Sequence, residues 1–241
     1  KKNGADFAKF QTWSVNNLKS GSWDRDGRRK IYEKAQLTLD KHKFIIKECK
    51  KNKIKFLTSV FNINDIKNLK KLNIKEIKIP SHEIHNLELI KSCIKNFKKV
   101  FISTGASKWN EIKKIKKIIK NKKNICLMHC VSSYPCLDEN INLPRLKSLS
   151  QLTKFLGYSG HMNGINDAIA SICSGATVIE KHFTINKKLP GRDNKNAILP
   201  GDMKILSEFA KNYKKMSINR GLDLQKCEMD IYKNYRGRWS K

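Results

Sequence analysis

The chain has 241 residues, and 51 lysines and arginines against 21 aspartates and glutamates give it a formal net charge of +30. This length allows one domain of barrel size or two small domains, and either can bury a sizeable core. No apolar run approaches the length of a membrane span and none resembles a signal peptide, so we expect no membrane association.

The excess of lysine would ordinarily suggest nucleic acid as a partner. In the stretch 111–120, however, lysines alternate with isoleucines at the spacing of a helix with one buried face. A solvated helix face explains these lysines better, and we do not expect nucleic acid to be a partner. The seven cysteines show no regular spacing and no CxxC pair, which fits a reducing, cytoplasmic location.

Short apolar runs alternate with longer amphipathic ones, which is typical of a parallel sheet whose strands are separated by helices. Seven strands are predicted, at Asp6–Gln11, Lys55–Val60, Glu76–Ile79, Lys99–Thr104, Ile125–Cys130, Phe155–Ser159 and Thr177–Phe183. Helices are predicted at Asp40–Asn52, Ile63–Leu72, Asn86–Lys95, Trp109–Asn121, Leu143–Ser150, Gly164–Ser174 and Pro200–Met216. Polar residues gather at the carboxyl ends of the strands, as in a TIM-type (β/α)₈ barrel, whose active site lies there.

Two segments fall outside this alternation. Residues 1–216 are assigned to the barrel domain, and residues 217–241 to a basic, aromatic tail. Within the barrel, Ser14–Asp40 is predicted to be a long polar connection, and loops of that length in a compact domain tend to be lids or binding loops.

The first and third strands carry lysines near their ends. Lys9 and Gln11 share one face of the first strand, and a lysine inside an apolar barrel is costly unless it meets an anion. We therefore predict that Lys9 binds a phosphate or carboxylate, with a structural ion pair as the alternative. Lys78 and Ser81 close the third strand, and a lysine with hydroxyl donors makes a reasonable phosphate clamp.

The following strands end in hydroxyl groups. Ser103 lies in a Ser-Thr-Gly sequence, where small residues and free backbone amides favour an anion. Ser132 and Tyr134 follow the fifth strand in the sequence LMHCVSSYP.

The last two strands bring together imidazole and carboxylate groups. Ser159 and His161 end the sixth strand, while Glu180 and His182 share one face of the seventh. The two histidines can meet across neighbouring strands, and such a pair suits a divalent metal. The alternative is two hydrogen-bonded histidines beside a sheet.

The motifs GYSGH, GATVIEKHFT and LPGRDNK, in this order, resemble those of the sialic acid synthase family, which condenses phosphoenolpyruvate with an N-acetylated sugar aldehyde. The resemblance extends over nearly the whole chain and is specific for the family but not for the sugar. It implies a transferase that makes a nonulosonic (sialic-type) acid and phosphate from phosphoenolpyruvate and an N-acylated hexosamine.

The resemblance also implies roles for individual residues. His161 and His182 would hold a divalent metal, manganese with magnesium as the alternative, and Glu180 and Asp193 would be the catalytic carboxylates. Substrate would be bound by Lys9, Gln11, Ser59, Lys78, Ser81, Ser103, Ser132, Tyr134, Ser159 and Lys181.

The sequence departs from the family at two places near these residues. Gly160 stands where an aspartate often precedes the metal histidine, which removes a carboxylate that could support that ligand. Asn194 stands at the middle of the usual Asp-His-Lys loop.

Two parts of the family pattern are expected to be missing: a first strand with a glutamate, ahead of Lys1, and a small C-terminal antifreeze-like domain. We therefore expect seven of eight strands, a gap between Asp6–Gln11 and Thr177–Phe183, and an inactive chain until an upstream βα unit is supplied. A homodimer is a further expectation. Two other functions stay open: condensation of the 3-deoxy-2-keto sugar acid phosphate synthase type, and a non-catalytic basic barrel scaffold.

Overall fold

Seven parallel strands, arranged in sequence order, form one sheet at the centre of the protein. The structure is a computed structural model that describes residues 1–120 and 122–239, without the side chains of Trp23 and Arg25. The strands are β1 (Phe7–Thr12), β2 (Lys55–Val60), β3 (Glu76–Ile79), β4 (Lys99–Ser103), β5 (Ile125–Cys130), β6 (Phe155–Gly160) and β7 (Val178–Lys181). The predicted α/β fold of the barrel type, with seven strands, is confirmed.

Helices connect the strands and cover the outer face of the sheet. They are α1 (Arg28–Ala35), α2 (Leu39–Lys51), α3 (Asp65–Lys71), α4 (Leu87–Asn96), α5 (Trp109–Ile119), α6 (Pro144–Ser150), α7 (Asn166–Cys173), α8 (Pro200–Met216) and α9 (Met229–Asn234). Helix α5 shows why these segments are helical: Ile112, Ile115 and Ile119 are buried at three- and four-residue spacing, and the lysines between them are exposed. No helix in the described ranges is long and apolar enough to cross a membrane.

The largest correction concerns Ser14–Asp40, for which the sequence predicts an irregular polar connection. The segment contains α1 and two short 3₁₀ turns. Helix α1 buries none of its residues, so it lacks the apolar stripe by which a helix is recognised from sequence. It is fixed instead by Trp13, whose Nε1–H donates to the Tyr32 carbonyl at 3.0 Å and whose ring packs edge-on against the Tyr32 ring.

Smaller differences lie at the ends of elements. β7 is shorter than predicted and ends at Lys181, so His182 follows the strand directly. The helix predicted to reach Asn121 ends at Ile119, and Asn121 itself lies outside the described residues. Of the tail, Ser240 and Lys241 also lie outside them, and the sequence pattern does not predict α9.

In the part of the chain that the structure describes, the outer strands of the sheet do not pair with each other. Among the described residues β1 pairs only with β2 and β7 only with β6, so the predicted gap is present in this part of the chain. Residues ahead of β1 pack against α8, where the Asn3 side chain donates to the Pro200 carbonyl and a Cβ atom at Gly4 would overlap the Ser207 side chain.

The interior enclosed by the curled sheet changes from apolar to polar along the strands. At the amino ends, Leu57, Phe101, Cys126 and Met128 form a buried cluster, flanked by Phe7 and Val178. Two residues later the same inward faces carry polar side chains, because side chains alternate along a strand. These pairs of positions are Phe7 and Lys9, Leu57 and Ser59, Phe101 and Ser103, and Val178 and Glu180. The alternation therefore places a polar site above an apolar floor.

Candidate active site

Two lysines converge on one carboxylate at the carboxyl end of the sheet interior. The Nζ atom of Lys78 lies 2.6 Å from Oε1 of Glu180, and the Nζ atom of Lys9 lies 3.6 Å from the same oxygen. The Lys78 side chain is only 4% exposed. These three groups together carry one excess positive charge in a largely desolvated place, which favours an anionic ligand.

The two lysines hold Glu180 in its ionised form. Burial alone would raise the pKa of Glu180, but the charges of Lys78 and Lys9 and the hydrogen bond from Lys78 outweigh it and lower this pKa to about 2. Burial lowers the pKa of Lys9 and the charge of Lys78 acts in the same direction, while Glu180 opposes both. Glu180 is therefore an anion at any physiological pH.

Serine hydroxyls complete the contacts of the two lysines. Lys9 donates to Oγ of Ser59 at 3.4 Å and Lys78 to Oγ of Ser159 at 3.3 Å. The Ser159 hydroxyl in turn donates to Glu180 at 3.2 Å. The four polar groups around Glu180 come from four different strands, β1, β2, β3 and β6, so the barrel geometry assembles them.

A second group of small polar residues lies beside this cluster. The backbone N–H of Gly105 donates to Oγ of Ser81 at 3.2 Å, and a Cβ atom at Gly105 would lie 2.5 Å from Oγ of Ser132. Only a glycine allows these hydroxyls to approach. The Ser103 hydroxyl is buried and has no hydrogen-bond partner within the described part of the chain. An unsatisfied buried hydroxyl is costly, and a bound anion would satisfy it.

His161 and His182 lie together next to the lysine cluster, with ring centroids 5.6 Å apart. The Nδ1–H of His161 donates to the Val131 carbonyl at 2.8 Å, which leaves its Nε2 with a free lone pair. Burial lowers the pKa of His161 to about 4 and also lowers the pKa of His182. Both rings are therefore in the neutral form that binds metal ions.

The donor set around the two rings is that of an open site. Within residues 1–120 and 122–239, no group of three or more histidine, cysteine, aspartate or glutamate residues could hold a metal ion. His161 and His182 could offer two nitrogen ligands, and an ion bound there would need oxygens from water or substrate. This donor set fits a catalytic ion better than a structural one.

Tyr134 and Asp193 border the histidine pair. The Tyr134 ring centroid lies 4.0 Å from that of His161 and 6.0 Å from that of His182, and burial raises the pKa of Tyr134 so that its hydroxyl stays protonated. Burial lowers the pKa of His182 and the negative charge of Asp193 opposes this. Asn194 is structural: its amide donates to the carbonyls of two other residues in the same loop, at 2.8 and 3.0 Å.

Two predicted substrate residues make no hydrogen bond or ion pair with the lysine cluster among the described residues. Gln11 shares the inward face with Lys9, but its side chain makes no hydrogen bond within the described residues. Lys181 lies on the opposite face of β7 from Glu180, and its side chain is 1% exposed in an ion pair with Asp167. The structure therefore does not bring Lys181 into the site, as alternation along TVIEKHFT already implied.

Sequence reasoning did not identify two residues around the site. The Cys130 Sγ atom is buried 3.9 Å from Nδ1 of His161, at the end of the apolar strand β5, where a buried cysteine is expected for packing alone. Asp167 lies in the first turn of α7, where an acidic residue is common, so nothing in the sequence distinguished it.

Comparison with known proteins agrees with this fold. The sequence pattern of the NeuB family matches residues 1–220. The N,N'-diacetyllegionaminic acid synthase of Campylobacter jejuni is 36% identical over 220 residues, which cover 84% of this chain and 66% of that protein. The pseudaminic acid synthase of Helicobacter pylori is 31% identical over 209 residues, which cover 80% and 61%. The chain thus spans less than two thirds of the length of these relatives.

A solved structure gives the same fold. The crystal structure of N-acetylneuraminic acid (sialic acid) synthetase from Leptospira borgpetersenii, in complex with citrate, matches with a TM-score of 0.87 and 26% identity. The match covers 98% of this chain and 84% of that one.

Proposed function

Because this chain belongs to the NeuB family, we propose that it condenses phosphoenolpyruvate with the open-chain aldehyde of an N-acylated hexosamine. The products are a nonulosonic acid and inorganic phosphate. The observation that carries the proposal is the buried cluster of Lys9, Lys78 and Glu180 with its serine hydroxyls, since it supplies paired cations and donors for a small polyanion.

In this proposal the phosphate and carboxylate of phosphoenolpyruvate take over the contacts that Lys9 and Lys78 make with Glu180. Ser103 supplies a hydroxyl that is buried and unsatisfied among the described residues. Two residues after Ser103, the Gly105 amide donates to the Ser81 hydroxyl. The ligand thus replaces one set of charge-assisted contacts by another, and Glu180 is released toward the acceptor.

The condensation itself forms one carbon–carbon bond. The methylene carbon of phosphoenolpyruvate attacks the aldehyde carbon and the aldehyde oxygen gains a proton. Water adds to the adjacent cationic carbon and loses one proton, so that no net proton is taken up. Collapse of the resulting tetrahedral centre breaks the carbon–oxygen bond to phosphate. Glu180 and Asp193 orient the attacking water and the sugar hydroxyls, as general-base groups beside the neutral histidine pair.

We include a divalent cation, manganese with magnesium as the alternative, held by His161 and His182. When bound there it would supply Lewis-acid polarisation of the aldehyde oxygen. Tyr134, beside both rings, would pack against the acceptor sugar.

The test is release of inorganic phosphate from phosphoenolpyruvate in the presence of N-acetylmannosamine or its 6-phosphate, measured for the chain with and without an added upstream βα unit. We expect release that depends on one of the two sugars, and Lys9→Ala and Lys78→Ala should raise the KM for phosphoenolpyruvate but not for the sugar. Lys113→Ala, which removes an exposed lysine on α5, is the matched control. Equal effects of Lys78→Ala on both KM values would contradict the assignment of the cluster. Preference for the phosphorylated sugar would exclude an unphosphorylated acceptor.

A further inference from the structure

A buried ion pair lies behind the two histidines, on the face of β7 turned away from the anion site. It joins Lys181 to Asp167, whose side chains are 1% and 0% exposed. Burying two charges carries a desolvation cost that apolar residues of the same volume would avoid. The pair therefore does more than fill the space between the sheet and α7.

Lys181 uses all three of its N–H donors at this place. Its Nζ atom donates to the Met162 carbonyl at 2.8 Å and to the two oxygens of Asp167 at 3.0 and 2.9 Å. Met162 directly follows His161, and Lys181 directly precedes His182. One ammonium group thus ties together the two backbone segments that carry the histidines.

The carboxylate of Asp167 is itself held firmly. It accepts the Tyr158 O–H at 3.0 Å and the Ala168 N–H at 2.8 Å in addition to Lys181. A Cβ atom at Gly160 would overlap an oxygen of Asp167, so the absence of a side chain there makes room for it. Asp167 on α7 thus places a carboxylate next to position 160, which itself has no side chain.

The two histidine rings differ in how they are fixed. His161 donates from Nδ1 to the Val131 carbonyl. The ring of His182 makes no hydrogen bond to any described residue, although its backbone carbonyl accepts the Ile198 N–H at 2.8 Å. The position of the His182 ring relative to His161 therefore depends on the backbone, and so on Lys181.

From this geometry we propose that Lys181 and Asp167 are positioning residues that hold His161 and His182 at the spacing at which both bind one divalent cation. The inference rests on the two-histidine site of the proposed function. It concerns only the outer face of β7, so it leaves the phosphoenolpyruvate cluster on the inner face unaffected.

The experiment compares two double variants by calorimetric titration with Mn²⁺ alone and, separately, with phosphoenolpyruvate. D167L/K181M removes both charges and the hydrogen bonds to Met162 while keeping volume, and D167N/K181Q removes the charges but keeps donor and acceptor groups. We expect D167L/K181M to bind Mn²⁺ about 10- to 100-fold more weakly. Its affinity for phosphoenolpyruvate should stay within about twofold of wild type, and D167N/K181Q should recover most of the Mn²⁺ affinity.

Several outcomes would overturn the proposal. Wild-type Mn²⁺ affinity in folded D167L/K181M would make the ion pair purely structural, and equal loss of both ligands would indicate a general disturbance. If D167L/K181M does not fold, K181M decides, since methionine has no N–H group to donate to Met162 and Asp167, and unchanged Mn²⁺ affinity there would refute the idea. Wild-type protein that binds phosphoenolpyruvate but no Mn²⁺ would remove the two-histidine site, and this proposal with it.

Discussion

Glu180 occupies the place that we assign to the anionic substrate, and this leads to a prediction of opposite effects on binding and turnover. Glu180→Gln keeps the shape of the side chain and removes its charge. Because phosphoenolpyruvate must displace the carboxylate from Lys78 and Lys9, the neutral variant should bind this ligand more tightly.

The size of the effect follows from the contacts that are exchanged. Glu180 accepts a charge-assisted hydrogen bond from Lys78 at 2.6 Å, and such a bond contributes about 1.5–3 kcal/mol. The contact with Lys9 at 3.6 Å is longer and adds less. If the amide of the Glu180→Gln variant retains part of the Lys78 contact, the dissociation constant for phosphoenolpyruvate should fall by roughly 10-fold, and at most by about 100-fold.

Turnover should change in the other direction. A carboxylate that orients the attacking water or an acceptor hydroxyl contributes about 10²- to 10⁴-fold, so kcat should fall by that factor. The assay is calorimetric titration of phosphoenolpyruvate at neutral pH, paired with phosphate release at saturating sugar. The exposed Glu208→Gln on α8 is the control for loss of one negative charge.

Thermal unfolding supplies an independent measurement. Removing the partner of buried Lys78 lowers the stability of the free variant, and the ligand should restore it. The melting temperature of Glu180→Gln should therefore rise more with phosphoenolpyruvate than that of the wild type. Weaker or unchanged binding of phosphoenolpyruvate would refute the idea that Glu180 competes with it.

Three further predictions concern the serine hydroxyls of the site, the core and the pH dependence of stability. Gly105→Ala places a Cβ atom 2.5 Å from a serine hydroxyl and should raise the KM for phosphoenolpyruvate by roughly 5- to 10-fold, whereas Gly201→Ala, with no atom within 4 Å, should leave it unchanged. Ile115→Ala in the buried face of α5 should lower the free energy of unfolding, measured with urea, by about 2–5 kcal/mol. Ile205 is 55% exposed, and Ile205→Ala should lower it by less than about 0.5 kcal/mol. Equal costs would contradict the core assignment. Burial lowers the pKa of His42, which the hydrogen bond to the Thr38 carbonyl and the charge of Asp65 only partly offset, so the folded state takes up its proton less readily than the unfolded chain. The contribution of neutral His42 to the free energy of unfolding is complete at pH values above the unfolded pKa of about 6.5. It is lost as the pH falls below that value, by up to about 1.4 kcal/mol per pH unit. Urea unfolding at about pH 7.5 and 5.5 should show a smaller loss for His42→Asn than for wild type, and equal losses would count against this origin.

Much of the fold could be predicted because the spacing of apolar residues within each segment indicates a strand or a helix. The strand Lys55–Val60 and the helix Pro200–Met216 have the bounds that their apolar spacing indicates. Helix α1 could not be predicted, since it buries no residue and depends on Trp13, which lies 19 residues from its contact Tyr32.

The site was predicted as a set of residues but not as a network. The ion pair between Lys78 and Glu180 joins residues 102 positions apart, and only the register of seven strands brings them together. The place of Asp167 next to Gly160 could be recognised only in the structure, where a Cβ atom at Gly160 would overlap the Asp167 carboxylate. The functional roles of all these residues stay predictions that the experiments above address.

The change from apolar to polar along each inward strand face bears on how such a protein can diverge. On β4, for example, Phe101 belongs to the buried apolar cluster, and Ser103, two positions further along the strand, belongs to the polar site. A substitution at Ser103 or Ser59 therefore alters the chemistry presented to a ligand while Phe101 and Leu57 continue to exclude water below. Because the two tasks fall on different residues, ligand binding can change by single substitutions without a matching loss of folding free energy.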